Sequence, residues 1–468
     1  MKYNKFIRTY LFTLLFASAG CLFTSCEEDV EVGRIDESGY ATNNDLMGYL
    51  IDSNGKRAIS NVDFRSEGIA EVYLNTNRQV GDTCTATITY DQTVLDAYNA
   101  KHDSKYEAFP QKAVTIDADG LLKISKGNNV SNKLKVTFKT VQGLSSDHSY
   151  VIPIRITPKS GGLKLTEEES TYLIFVKDLT GIPDCNKSTG IKIISCMEVN
   201  DTNPLNNLCF TLKKSGKPLV DILIIFSANI NYNAETGRVY VSKNNNVQHL
   251  LNYRMKYLKP LQDRGMKIVL GILGNHDHSG VANLADNTAK VFAQDIKAVC
   301  DAYHLDGVFF DDEYSTYQYP APIGFVSESS AAASRLCYEV KQAMPTGLVC
   351  AYAYGLTRRL PAIEGKESGT FVDYGIHDYY NGYDLSKNYP GMPKSRMALY
   401  SQELNQEKLA SENELRSLRR DGFGAHMIFA MDPFRKNFDT QLWAMQNIAR
   451  ALFDDELVYD NKPYRKDW

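Results

Sequence analysis

Past Gly181-Ile182-Pro183 the chain changes texture. Upstream, short runs alternate polar and apolar residues; downstream, apolar β-branched runs alternate with segments of helical period. Eight such runs stand at 191–198, 221–227, 266–273, 307–312, 347–353, 371–377, 397–401 and 424–430. Strands buried on both faces read as continuous apolar runs, and parallel neighbours need long crossovers. Val247, Leu250, Leu251, Met255, Leu258 and Leu261 recur at helical spacing between the second and third runs. Leu284, Val291, Phe292, Ile296, Val299 and Tyr303 do so between the third and fourth. Eight strands in roughly 270 residues match a TIM (β/α)8 barrel. The seventh run is the weakest, and a doubly wound sheet is the structural alternative.

From about residue 46 to 176 the runs are short and bounded by turn residues, as in Cys84-Thr85-Ala86-Thr87-Ile88-Thr89-Tyr90 and Thr171-Tyr172-Leu173-Ile174-Phe175-Val176. That spacing predicts an all-β sandwich. The chain therefore reads as multidomain: a sandwich at 45–180, then the barrel at 186–468. Ahead of both, Lys2, Lys5 and Arg8 precede an apolar stretch too short to span a bilayer stably. This is an export signal over 1–26, followed by an acidic tether over 27–44. Phe23-Thr24-Ser25-Cys26 resembles a bacterial lipobox, with Cys26 the lipidated residue. The following Glu27-Glu28-Asp29 resembles the surface-export signal of Bacteroidetes lipoproteins, and the sandwich resembles the domain that often fronts their glycan-processing members. A rival cleavage point lies at Ser18-Ala19-Gly20-Cys21.

Charge and cysteines exclude some classes. A net charge of −4 without a basic run argues against nucleic acid as a partner. Of 9 cysteines, those beyond the signal are scattered and form no CxxC, so neither a disulfide framework nor a zinc site is indicated. The 29 tyrosines against 2 tryptophans suit surfaces that meet sugars, whose rings offer apolar faces and hydroxyls together.

A barrel's chemistry sits at the C-terminal ends of its strands. There the fourth run ends in Asp311-Asp312-Glu313, and period two puts Asp311 and Glu313 on one face with Asp312 opposite. Paired carboxyls at a buried strand end repel and desolvate each other, which suits acid–base work. Polar clusters around Glu198, Asn229, Asn275, His377, Gln402 and Asp432 fall at the same level. His276-Asp277-His278 is a weak metal candidate, because only two of its side chains could share a face and no further ligand is apparent. No metal and no cofactor is expected.

Asp306-Gly307-Val308-Phe309-Phe310-Asp311-Asp312-Glu313 resembles the DGxDxDxE signature of family 18 glycoside hydrolases. Ser227-Ala228-Asn229-Ile230-Asn231-Tyr232, Leu273-Gly274-Asn275-His276 and the Asp373-Tyr374…Tyr379-Tyr380 segment narrow the likeness to endo-β-N-acetylglucosaminidases of the Endo H and Endo F type, over about residues 192–453. The resemblance implies hydrolysis within the chitobiose core of N-linked glycans by a retaining, substrate-assisted route. Glu313 would be the general acid and base, its pKa raised by Asp311; Asp311 would orient the acetamido group, and Tyr379 would hydrogen-bond the acetamido carbonyl. His377, two residues before Tyr379, is expected on the same face. Asn229, Asn275, His276, His377, Tyr380, Gln402 and Asp432 would bind substrate.

The family's middle aspartate is Phe309 here, and strand eight ends in Ala430-Met431-Asp432, where chitin-degrading relatives carry tryptophan. The expected substrates are N-glycoproteins or N-glycopeptides, with high-mannose chains the expected class. The alternative is a catalytically silent glycan-binding lipoprotein of the same fold. The expected location is the bacterial outer membrane, lipid-anchored and surface-exposed, with surface glycan-import proteins as further partners.

Overall fold

In strand Glu67–Thr76 every second residue from Gly68 onward is buried, the mark of a strand with one face on a core. The computed structural model describes residues 45–468 except 54, 103 and 146–148, so the export signal, Cys26 and the tether lie outside the described residues. Two sheets form the N-terminal sandwich. One runs Leu163–Lys164, Leu46–Asp52, Glu67–Thr76, Leu134–Lys139, Val114–Ile116; the other runs Ile59–Phe64, Thr171–Asp178, Tyr150–Ser160, Cys84–Tyr90, Leu121–Ile124. Leu74, Val136, Phe138, Ile152 and Ile174 fill the space between them. A helix, Gln92–His102, departs from the all-β expectation. Its Val94 and Leu95 cover Val151, Leu173 and Phe175 on the outer face of the second sheet, which explains why those strands read as continuous apolar runs.

The barrel strands are β1 (Lys192–Glu198), β2 (Ile222–Asn233), β3 (Lys267–Leu273), β4 (Gly307–Phe310), β5 (Leu348–Tyr352), β6 (Tyr374–Ile376), β7 (Met397–Ala398) and β8 (Ala425–Phe429). All pair in parallel in that order, and β1 closes the ring by pairing β8 from Lys192↔Ala425 to Cys196↔Phe429. Closure leaves no sheet edge and settles the barrel over the doubly wound alternative. Ile194, Ile224, Val269, Phe309, Cys350 and Met427 point into the barrel. Their chain neighbours Ile193, Leu223, Ile268, Val308, Phe310, Val349 and Ile428 pack outward.

The outer ring is not eight helices. Among the described residues α-helices follow β2, β3, β4, β7 and β8, whereas only 3₁₀ turns follow β1, β5 and β6. Pro361, Pro390 and Pro393 lie in the last two connections, where a ring nitrogen cannot donate to a helix ladder. Met255, read from spacing as apolar and inward, is exposed. It falls where the crossover after β2 breaks into Asn245–Asn252, Arg254–Tyr257 and Lys259–Gln262.

The sandwich packs against the N-terminal ends of the barrel strands. Asn61 donates to the Pro345 carbonyl at 2.6 Å, Asp63 pairs with Lys267 at 2.5 Å, and Glu168 pairs with Lys366 at 3.0 Å. At the centre Asp373, just before β6, takes Lys56 of the sandwich at 2.8 Å and Lys341 of the barrel at 2.9 Å. The Val349 amide also donates to Asp373 at 2.8 Å. Burial alone would raise the Asp373 carboxyl, but Lys341 and Lys56 outweigh it and hold it below the usual carboxylate range. Asp373→Asn keeps the shape while stranding two ammonium groups in a dry interface, a loss of about 3–5 kcal/mol. Chemical denaturation should show a clearly lower midpoint; an unchanged midpoint would mean that the cluster does not hold the two halves together.

Candidate active site

The mouth of the barrel is built from β4 outward. Phe309 points inward, so the alternation carries Asp311 inward above it, with Glu313 next in the same parity. Asp312 turns the other way, accepting from the Tyr317 hydroxyl at 2.6 Å and the Leu356 amide at 2.7 Å. The loop after β3 laces onto this strand end: Gly274 donates to the Glu313 carbonyl at 3.0 Å and His276 to the Tyr314 carbonyl at 2.7 Å. Any Cβ at Gly274 would sit 2.3 Å from the Glu313 carbonyl oxygen, so only glycine permits this approach.

Asp311 is 4% exposed and its Oδ1 has no hydrogen-bond partner. Its floor is the Phe309 ring, which lies 6.3 Å from Phe226 and 6.1 Å from Tyr352. Burial first, then the charges of Glu313 and Asp312, push its pKa well above the ordinary value. Glu313 is half-buried, and burial followed by Asp312 raises it too. Asp311 and Glu313 repel each other, so the charge on either favours the neutral form of the other; Asp312 acts on both, and the more deeply buried Asp311 moves further. Tyr379 completes the centre, its ring 6.5 Å from Tyr352 and 6.3 Å from Phe429, its phenol raised by burial and then by Tyr352.

Other expected site residues divide. Asn229 is half-buried and donates to the Gly274 carbonyl at 3.0 Å; Asn275 is exposed and donates to Asn231 at 3.0 Å. His276 and Tyr380 stand exposed on the rim. Asp432 is half-buried and pairs with Arg435 at 3.3 Å. His377 and Gln402 require correction. His377 is fully buried on the outward parity of β6, its ring 4.0 Å from Tyr383, and burial lowers its pKa. Gln402 is fully buried and spent on His426 at 2.9 Å and the Ala410 amide at 3.0 Å. In the His276-Asp277-His278 cluster, Asp277 holds its own loop, accepting from Tyr232 N at 2.8 Å and Ser279 N at 2.6 Å. His278 packs its ring 4.7 Å from Tyr232 and from Phe325.

Glu198 and Glu403 belong to polar clusters that the sequence places at the mouth, whereas nothing in the sequence singles out Arg435 or Tyr352. A cavity of about 190 Å³ between the ends of β1 and β8 and the segment after β7 is lined by Glu198, Asp201, Glu403, Phe429, Asp432 and Arg435. Burial, then Asp201 and Glu403, push Glu198 up to about 7. Glu403 faces inward because it pairs with inward Phe429, and Gln402 with outward Ile428. Simple alternation from inward Ala398 would have chosen Gln402; left-handed Tyr400, φ 53°, interrupts the strand between the two and changes the parity. Continuing the alternation through β6 likewise misplaces His377 relative to Tyr379. The shared influence of Asp312 makes a test: Asp312→Asn should move both limbs of the pH–rate profile to lower pH, because removing a negative neighbour lowers both carboxyl pKa values. Unmoved limbs would refute that coupling.

Comparison with known proteins follows the same division of the chain. A family described as an N-terminal domain matches residues 41–163. Endo-β-N-acetylglucosaminidase F1 of Elizabethkingia meningoseptica is 60% identical over 280 residues, 59% of this chain and 83% of that protein. An endo-β-N-acetylglucosaminidase of Flavobacterium sp. (strain SK1022) is 30% identical over 253 residues, 53% of this chain and 78% of that protein. EndoBT-3987 of Bacteroides thetaiotamicron, solved with a Man5GlcNAc product, superposes with TM-score 0.83 at 32% identity, covering 90% of this chain and 97% of that one. The same protein with a Man9GlcNAc2Asn substrate gives TM-score 0.76 at 30% identity and the same coverage.

Proposed function

The chain belongs to the endo-β-N-acetylglucosaminidases of glycoside hydrolase family 18, and we propose that it cleaves high-mannose N-glycans between the two N-acetylglucosamines of their core. The observation that carries the assignment of roles is the inward pair Asp311 and Glu313, one buried without a hydrogen-bond partner at Oδ1, the other half-open to the mouth. Phe309 fills the place directly beneath them, and Asp311, recessed beside Glu313, is assigned to orienting the acetamido group rather than to attack on carbon. The substrate's acetamido oxygen supplies the nucleophile. It attacks the anomeric carbon while Glu313 gives its proton to the departing glycosidic oxygen, leaving an oxazolinium ion. Asp311, ionised at that moment, takes a hydrogen bond from the acetamido N–H and balances the positive charge. Glu313, now a carboxylate, then removes a proton from water as the water opens the ring at the anomeric carbon. Two inversions give net retention.

The high-mannose assignment draws support from the Man5GlcNAc and Man9GlcNAc2Asn complexes of EndoBT-3987 and from the cavity beside Phe429. Its volume is below the ~300–1,000 Å³ of a drug-sized ligand site, which suits a single sugar ring at a branch. Carboxylates accept from vicinal hydroxyls, and Arg435 donates. Anchoring follows the sequence alone: Cys26 acylation and the acidic residues after it would place the enzyme on the outer-membrane surface, within reach of large glycoproteins, beside surface proteins that import the released glycan.

Glu313→Gln removes the transferable proton and little else, so turnover should fall by about 10² or more with folding retained. Mass spectrometry of a treated high-mannose glycopeptide should show one N-acetylglucosamine left on asparagine. Conversion of asparagine to aspartate, or an initial product of inverted anomeric configuration by NMR, refutes the reading. Protease shaving of intact cells should remove the protein, and full protection would contradict surface display.

A further inference from the structure

Asp311 must ionise in a site that opposes ionisation. The titratable groups around it are Glu313 from its own strand end, Asp312 turned the other way beside it, Cys196 from β1, Tyr352 from β5 and Tyr379 from β6, and none of them is a cation. A buried carboxylate without a counter-charge needs hydrogen-bond donors to hold it. The backbone register says where one stands. Phe309 pairs Cys350 and Phe310 pairs Ala351, so the next rung beyond the ladder sets Tyr352 beside Asp311. Both side chains belong to the inward parity.

Tyr352 is held in place from several sides. Its carbonyl takes the Thr357 hydroxyl at 2.7 Å and the Tyr354 amide at 2.8 Å. Its ring, 6% exposed, stacks at 5.9 Å with Tyr354 and tilts against Phe309 at 6.1 Å and Tyr379 at 6.5 Å. Its hydroxyl takes no hydrogen bond from or to any described residue. A rigid phenol with a free donor and a buried carboxyl oxygen with a free acceptor thus stand in adjacent register over the same phenyl floor.

We infer that Tyr352 is a positioning residue whose hydroxyl donates to the Asp311 carboxylate and lets it carry charge while the acetamido group reacts. Phe309 cannot do this, since a phenyl ring has nothing to donate. The phenol keeps its proton throughout, because burial first and Asp311 next raise its own pKa. No proton is transferred in this contact; the hydrogen bond favours the ionised form of Asp311 and so lowers its pKa against burial.

The inference rests on the role of Asp311 proposed above, so the test includes that residue. Tyr352→Phe removes one oxygen atom and leaves the ring stack. With a high-mannose glycopeptide, kcat should fall about 10- to 100-fold, the span expected for one hydrogen bond to a charged group, while KM stays within about twofold. The acid limb of the pH–rate profile should move to higher pH, because Asp311 loses a group that favours its anion. A residue that merely fills space would leave that limb where it was. In the Asp311→Asn background the same substitution should cause no further loss. An unmoved acid limb, or losses that multiply in the double variant while Asp311→Asn alone is impaired, overturns the Tyr352 assignment only. Near-full activity of Asp311→Asn alone overturns both this inference and the proposed role of Asp311.

Discussion

A carboxyl group set into the closed interior of the barrel, with a phenyl ring beneath it and two acids beside it, governs the arrangement around it. Water would relieve Asp311, but the inward side chains of neighbouring strands exclude it, and the parallel register gives those side chains no freedom to withdraw. The consequence is a raised pKa, and therefore a group that holds its proton more tightly than an exposed carboxyl. Glu313, one step further out and less buried, feels the same pressure more weakly. Depth along one strand end thus separates the two carboxyl groups: the deeper Asp311 resists ionisation more, so its proposed charge calls for hydrogen-bond donors, whereas the outer Glu313 is the one open to the substrate.

The far end of the barrel carries the other domain. The sandwich occupies the N-terminal side of the strands, where crossovers after β5 and β6 lack helices. Asp373 there is tied into two lysines from different domains, immediately before the strand that leads to Tyr379. Docking at that end leaves the catalytic mouth unobstructed. It also braces β6, whose three ladder residues alone would hold Tyr379 loosely.

Much of this was legible in the sequence because strand alternation is a strict rule while a strand lasts. Parity predicts Phe309 inward, where it lies, Asp311 above it, where it is buried, and Asp312 turned away, where it bonds Tyr317 and Leu356. The eight apolar runs gave the barrel, although three of its crossovers are not helices. Reading failed where a strand stops being one. The left-handed turn at Tyr400 exchanges Gln402 for Glu403, and the end of β6 at Ile376 separates His377 from Tyr379. The break at Tyr400 has no glycine or proline to announce it: a tyrosine takes positive φ there, an unusual conformation for a large side chain that sequence pattern does not signal. Tyr352 escaped notice for another reason. Its role depends on a neighbour in space fixed by register between β4 and β5, and register between strands is not written in either strand by itself.

The same interruptions that defeated the reading build the donor side of the mouth. A straight seventh strand would bring an amide inward at Gln402; the kinked one brings the Glu403 carboxyl toward Glu198. Those acids repel, and the nearby Arg435 is already paired with Asp201 at 2.7 Å and Asp432 at 3.3 Å. Glu198 is therefore left raised to about 7, a carboxyl that can donate to one sugar hydroxyl when protonated and accept from another when not. On the neighbouring strands β2 and β3, Asn229 and Asn275 already donate to neighbours at 3.0 Å. A sugar at that cavity, as proposed, would replace the repulsion between Glu198 and its acidic neighbours with hydroxyl contacts. The gain is largest for a ligand presenting several hydroxyls on one ring, which is the chemistry of a mannose branch.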